Sequence, residues 1–169
     1  MVRTIRAIID AQAAIQPDAP FLLAPEARTT ITYAALRDTC QALGGELAAA
    51  GIPPGAVVSF LLPNGASAAT VFLGAMYAGY VVAPMSLLAH DAQLDYILPH
   101  SGTRLVFADA SHADRLRSAA ERSGSGAIVR TTHPDALGFG SGARRACPAP
   151  PGENTAALLM YTSGTTGVP

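Results

Sequence analysis

Between Glu46 and Asp91 the chain carries no charged side chain: residues 47–90 contain no Asp, Glu, Lys or Arg. A stretch this apolar goes either into a bilayer or into a protein interior. Its densest part, residues 66–83, lies between Gly65 and Pro84 and falls just short of the roughly 20 residues that span hydrocarbon. It also holds Ser67, Thr70, Gly74 and Gly79, and neither basic residues nor Trp flank it, whereas membrane helices are commonly anchored by both. A buried helix over 67–78, a stop at Gly79 and a buried strand over 80–83 account for the segment better. No membrane span is expected.

Around that unit, helix-period and strand-like runs alternate, the pattern of βα units in a mainly parallel sheet. The expected fold is therefore α/β. Residues 3–16 place Ile5, Ile8, Ile9 and Ala13 on one helical face, and residues 21–24 and 29–32 read as a β-hairpin. Residues 33–50 carry Leu36, Cys40, Leu43 and Leu47 at i, i+4, i+7 and i+11, an amphipathic stripe. Thr32 is placed to cap that helix and Gly51 to stop it, although Ala35 supplies no reciprocal capping-box carboxylate. Residues 57–62, 80–83, 104–108 and 128–129 predict the parallel strands, each apolar on both faces. The later helices fall at 92–98, with Asp91 as cap and Gly102 beyond the end, and at 112–122. Residues 131–154, rich in Gly and Pro, read as a surface loop or linker.

Half of the residues are hydrophobic, 14% are charged and the net charge is −1, so no basic field exists to hold nucleic acid or anionic lipid. Cys40 and Cys147 follow no C-x-x-C spacing. Cys40 falls on the helical stripe and reads as a small buried hydrophobe; Cys147 reads as a bystander thiol in a loop. Without a secretory signal, a reducing cytoplasm fits best. His90, His100, His112 and His133 show no paired or H-E-x-x-H spacing, so they read as loop or cap residues and no metal site is expected. Asp109 stands just past a strand, where α/β proteins bind ligands, but an N-cap role before the next helix suits it better. Arg144 and Arg145 read as a solvated pair. No nucleophile–base constellation emerges, and no catalytic residue is assigned.

The site signal lies at the end of the chain. After the apolar run 156–161, which reads as a buried strand, come Thr162, Ser163, Gly164, Thr165, Thr166 and Gly167. Glycine permits close backbone approach and positive φ, so successive N–H groups and hydroxyls can converge on one anion, with phosphate the expected guest. The pattern is neither the G-x-x-x-x-G-K-[ST] loop nor G-x-G-x-x-G, which removes the main support for kinase, GTPase or dehydrogenase readings. A cation is expected to follow, yet no Lys or Arg occurs over 146–169. The chain thus reads as a piece ending inside its own phosphate loop.

Residues 161–169, Y-T-S-G-T-T-G-V-P, resemble the phosphate-binding signature of adenylate-forming enzymes, the superfamily of acyl-CoA synthetases, luciferases and peptide-synthetase adenylation domains. Ile31-Thr32-Tyr33-Ala34-Ala35-Leu36 resembles its T-Y-x-E-L helix start, and residues 73–84 resemble its L-G-x-x-K-A-G-A-x-x-x-P segment. Leu94-Asp95-Tyr96-Ile97-Leu98 followed by Ser101-Gly102 resembles L-x-Y-I-L-x-x-S-G. Ala35 replaces the usual Glu and Tyr77 the usual Lys.

The resemblance implies an acyl-CoA synthetase-type ligase that uses ATP, Mg2+ and CoA on a small-molecule carboxylate. Residues 1–130 would form an α/β subdomain of its large N-terminal domain, 131–154 a linker, and 155–169 a strand and the start of the phosphate loop. The expected partners are that carboxylate and the remaining polypeptide, with room for a homo-oligomer. The alternatives are an adenylation domain loading a carrier protein and a non-catalytic scaffold module. Thr165 leans towards the acyl-CoA ligases. Alone, the 169-residue chain is expected to make no acyl-adenylate.

Overall fold

The computed structural model describes residues 4–25, 28–135 and 146–162. Helix α1 (Ile5–Ile15) starts at Thr4, whose hydroxyl accepts the Ala7 N–H at 3.1 Å. Strands β1 (Pro20–Ala24) and β2 (Thr29–Thr32) pair antiparallel as the expected hairpin. In α2 (Tyr33–Ala49), Thr32 accepts the Ala35 N–H at 3.2 Å, the one-sided cap that follows from Ala at 35. The predicted stripe is intact: Leu36, Cys40, Leu43 and Leu47 are all buried. On α1, by contrast, Ile9 and Ala13 are buried while Ile8 is 53% exposed. Ile8 lies about a quarter-turn round from Ile9, outside a contact stripe narrower than the sequence pattern suggests.

Five βα-type elements follow: β3 (Val57–Leu61), α3 (Ala66–Tyr77), β4 (Val81–Pro84), α4 (Asp91–Ser101) and β5 (Thr103–Ala108). Helix α5 (Ala110–Ser123) and strand β6 (Ile128–Thr131) complete the series. The four strands lie in the order β4-β3-β5-β6 and every pairing is parallel. The predicted α/β class and all four predicted strands are present, displaced at their ends by one or two residues.

Two apolar layers explain why the strands are apolar on both faces. Leu43, Val58, Phe60, Val71, Val82, Leu105 and Phe107 close one face against α2 and α3. Leu61, Leu94, Leu98, Val106, Ala108 and Leu116 close the other against α4 and α5. Helices α2 and α3 approach through glycines: a Cβ on Gly74 would lie 2.7 Å from Leu43 Cδ2, and one on Gly44 would lie 2.7 Å from Ala78 Cβ. The uncharged stretch is thus consumed as interior, and among the described residues no helix is long and apolar enough to cross a membrane. Gly79, at φ 81°, ends α3 as anticipated.

Both boundaries of α4 differ from expectation. Helix α4 runs through Pro99 to Ser101 because Gly102, at φ 66°, turns its N–H back onto the Leu98 and Pro99 carbonyls. At the other end His90, not Asp91, occupies the cap, its N–H donated to Gln93 Oε1 at 2.8 Å. Asp91 lies inside the first turn, favourable for a carboxylate, and pairs with Arg115 at 2.5 Å.

Part of the Gly/Pro-rich segment packs on the body. The His133 carbonyl accepts Ser67 Oγ at 2.5 Å, and the Pro134 carbonyl accepts the Ser67 N–H at 2.8 Å, which serves the start of α3 where Gly65 has no side chain to cap it. Arg6 donates to the Pro148 carbonyl at 2.8 Å, and Cys147 rests against the α2 glycine, its Sγ 2.6 Å from where a Gly44 Cβ would stand. Both thiols are free; burial pushes Cys40 up to about 12.

Candidate phosphate-loop site

Residues 156–161 do not form the expected buried strand. The segment makes one parallel bridge, Leu158 to Val82, through two 2.9 Å hydrogen bonds: Val82 N–H to the Ala157 carbonyl and Leu159 N–H to the Val82 carbonyl. It lies outside β4, the one strand that flanks it among the described residues, and β4 is four residues long. Leu158 and Met160 are 43% and 62% exposed, while Ala157, Leu159 and Tyr161 are half-buried. An apolar run read as buried on both faces is thus half-buried on one.

The parallel sense of the bridge matters for the site. It sends residues 159–162 towards the carboxyl ends of the strands, the edge at which open α/β sheets bind ligands. Thr162 stands there, exposed. The other predicted loop residues, Ser163, Gly164, Thr165, Thr166 and Gly167, lie outside the described residues, as do Arg144 and Arg145.

At the base of that loop is a contact the motif did not reveal. The Tyr161 hydroxyl lies 2.8 Å from His100 Nδ1, and the two rings meet edge to face at 5.7 Å. His100 in turn stacks on Tyr96, centroids 4.9 Å apart. Burial pushes the Tyr161 phenol up. Behind His100 runs a buried line of hydroxyls: Ser101 Oγ to Thr103 Oγ1 at 2.7 Å and Thr103 Oγ1 to Ser59 Oγ at 2.6 Å. The Tyr96/His100 spacing of i, i+4 was the one sequence signal for the stack; nothing local announces that Tyr161 reaches it.

The remaining candidates resolve into structural roles. Asp109 caps α5, accepting the His112 N–H at 3.0 Å and Ser111 Oγ at 2.8 Å, with His112 Nδ1 at 2.6 Å. Burial pushes its carboxyl up, but the hydrogen bonds from His112 and Ser111 outweigh that and hold it low. Asp109 also lines a shallow cleft of roughly 410 Å³ with Ser111, Thr131, Thr132 and His133. His90 is the α4 cap, His112 the Asp109 partner, and His133 Nδ1 accepts the Asp135 N–H at 3.1 Å. His100 and His112 are helical, not in loops. Among the described residues no group of three or more His, Cys, Asp or Glu side chains is arranged to hold a metal ion.

The chain is 44% identical over 98% of its length to the sulfoacetate–CoA ligase of Cupriavidus necator, of which it covers 33%. It is 29% identical over 94% of its length to the long-chain-fatty-acid–CoA ligase FadD13 of Mycobacterium tuberculosis, covering 32% of that protein. The chain therefore spans about a third of these relatives. Among solved structures, ATP-bound MatB from Rhodopseudomonas palustris superposes with a TM-score of 0.78 at 25% identity, over 99% of this chain and 34% of that one. The model of the AMP-binding enzyme family matches residues 9–169. The chain belongs to that family.

Proposed function

We propose that this sequence supplies one wall of the ATP site in an AMP-forming acyl-activating ligase, and that residues Thr162–Gly167 bind the β- and γ-phosphates of ATP. In this reading a carboxylate oxygen attacks the α-phosphorus, the bond to the bridging oxygen breaks, and acyl-adenylate and pyrophosphate result. A thiol, that of CoA, then displaces AMP to give the thioester. The observation that supports the reading is the parallel bridge of Leu158 on β4, which brings the chain to the carboxyl edge of the sheet at Thr162, where the Gly/Ser/Thr sequence begins. Backbone N–H groups and hydroxyls presented there would hold the pyrophosphate portion in line and stabilise the charge it gains as it leaves. That is positioning and electrostatics, with no covalent step by the protein. Mg2+ accompanies ATP in this family reading, but the described residues offer no cluster to hold it, and no step is assigned to it. The two cysteines kept as thiols suit a reducing cytoplasm.

The test is Thr165→Ala and Thr166→Ala in the full-length protein that carries this sequence. Loss of one donor acting mainly in the transition state lowers the rate of adenylate formation by about 10²-fold, with little effect on the unfolding midpoint. Unchanged pyrophosphate-exchange rates in both variants would refute the assigned role.

A further inference from the structure

Tyr161 is the last residue before the proposed phosphate loop, and its surroundings give it a specific task. The segment 157–159 is held to the sheet by two backbone hydrogen bonds, with Leu158 and Met160 facing outward. Tyr161 then turns its ring inward onto α4, where the hydroxyl meets His100 Nδ1 at 2.8 Å. That end of α4 is well fixed. Arg122 grips Asp95 with two hydrogen bonds of 2.9 and 2.8 Å, Tyr96 stacks on His100, and Ser101 joins the buried Thr103–Ser59 pair.

We propose that Tyr161 is a positioning residue: its phenol, bonded to His100, fixes the point at which Thr162, the first residue of the proposed phosphate loop, leaves the sheet. The proposal rests on the phosphate-loop reading above. Its physical basis is that in-line transfer tolerates little misplacement, a shift of about 1 Å costing as much as 10²-fold in rate. Among the described residues the segment is held to the sheet by one bridge, and the side-chain tie to α4 adds a second constraint close to Thr162. The contact joins residues 61 positions apart.

The experiment is a double-mutant cycle in the full-length protein, with Tyr161→Phe, His100→Ala and the pair together. Acid-dependent ATP–pyrophosphate exchange gives kcat and the KM for ATP, and unfolding midpoints are measured in parallel. Tyr161→Phe keeps the ring and loses only the hydroxyl, so kcat is expected to fall about three- to tenfold, the range of one hydrogen bond, while the midpoint stays within about 1 °C of wild type. His100→Ala is expected to lower kcat similarly, the double variant no further than the worse single, and His100→Asn, which offers an acceptor near the Nδ1 position, to recover part of the rate. Wild-type kcat in Tyr161→Phe, or losses that multiply in the double variant, would overturn the proposal while leaving the loop reading intact. A wild-type protein that exchanges no pyrophosphate with any carboxylic acid would remove both.

Discussion

Replacing Thr103 by Val tests the buried hydroxyl line that fixes the end of α4. Thr103 is 2% exposed and Ser59 is fully buried, and the Ser59 hydroxyl pairs with Thr103 Oγ1 at 2.6 Å. Valine matches threonine in shape and suits a strand, so the substitution removes polarity and little packing. Ser59 is left buried without that partner, at a cost of about 1–3 kcal/mol, and the Thr103–Ser101 hydrogen bond adds about 1 kcal/mol. Ser101 keeps the Leu98 carbonyl at 3.2 Å, so it contributes no second orphan. The sum is about 2–4 kcal/mol, or a fall in melting temperature of about 4–16 °C for a domain of this size. The diagnostic arm is Ser59→Ala with Thr103→Val, which removes the orphan together with its partner. Urea denaturation should find this pair more stable than Thr103→Val alone, because an absent hydroxyl costs less than a buried unpaired one. A Thr103→Val protein within about 0.5 kcal/mol of wild type, or a pair less stable than either single variant, would show that the hydroxyl line does not stabilise this end of α4.

Gly44→Ala places a Cβ 2.6 Å from Cys147 Sγ and 2.7 Å from Ala78 Cβ; overpacking of about 1–3 kcal/mol exceeds the helix-propensity gain of about 1 kcal/mol, so chemical denaturation should show a net loss, partly recovered by adding Cys147→Ala. Asp109→Asn keeps a capping oxygen and removes the charge. Because hydrogen bonds from His112 and Ser111 hold the folded-state pKa of Asp109 below its ordinary value, its stabilisation is present in full above about pH 4 and is lost as the pH falls through the lower folded-state value. Stability measured against pH should therefore show wild type and variant converging in acid, and a gap that widens there would contradict the assignment.

What the sequence made legible, and what it did not, divides along physical lines. The stripe Leu36, Cys40, Leu43 and Leu47 is buried as its spacing requires, because a helix packed on a sheet leaves one period available. The apolar runs of β3 and β5 were readable because both of their faces meet helices. The end of α4 was not, since Pro99, which lacks an N–H, argues for an earlier stop, yet the helix continues to Ser101 and ends at the left-handed Gly102 cap. The run 156–161 differs from its expected burial because composition reports apolarity but not how many neighbours a strand has: among the described residues it meets only β4, and Leu158 and Met160 are exposed. For the site, Thr162–Gly167 could be put forward as a candidate from glycines and hydroxyls alone, and beyond Thr162 it lies outside the described residues. The Tyr161–His100 contact could not, because it depends on where β4 places the chain relative to α4, and no local pattern encodes that.

We propose that the full-length protein carrying this sequence activates a carboxylate at the expense of ATP. Its most direct test is the exchange of labelled pyrophosphate into ATP by the full-length protein, measured with and without a panel of carboxylic acids that includes sulfoacetate, fatty and aromatic acids. Label is expected in ATP only when one of the acids is present, with AMP as the nucleotide product once CoA is added. Exchange that ignores every acid, or hydrolysis of ATP to ADP and phosphate, would contradict it.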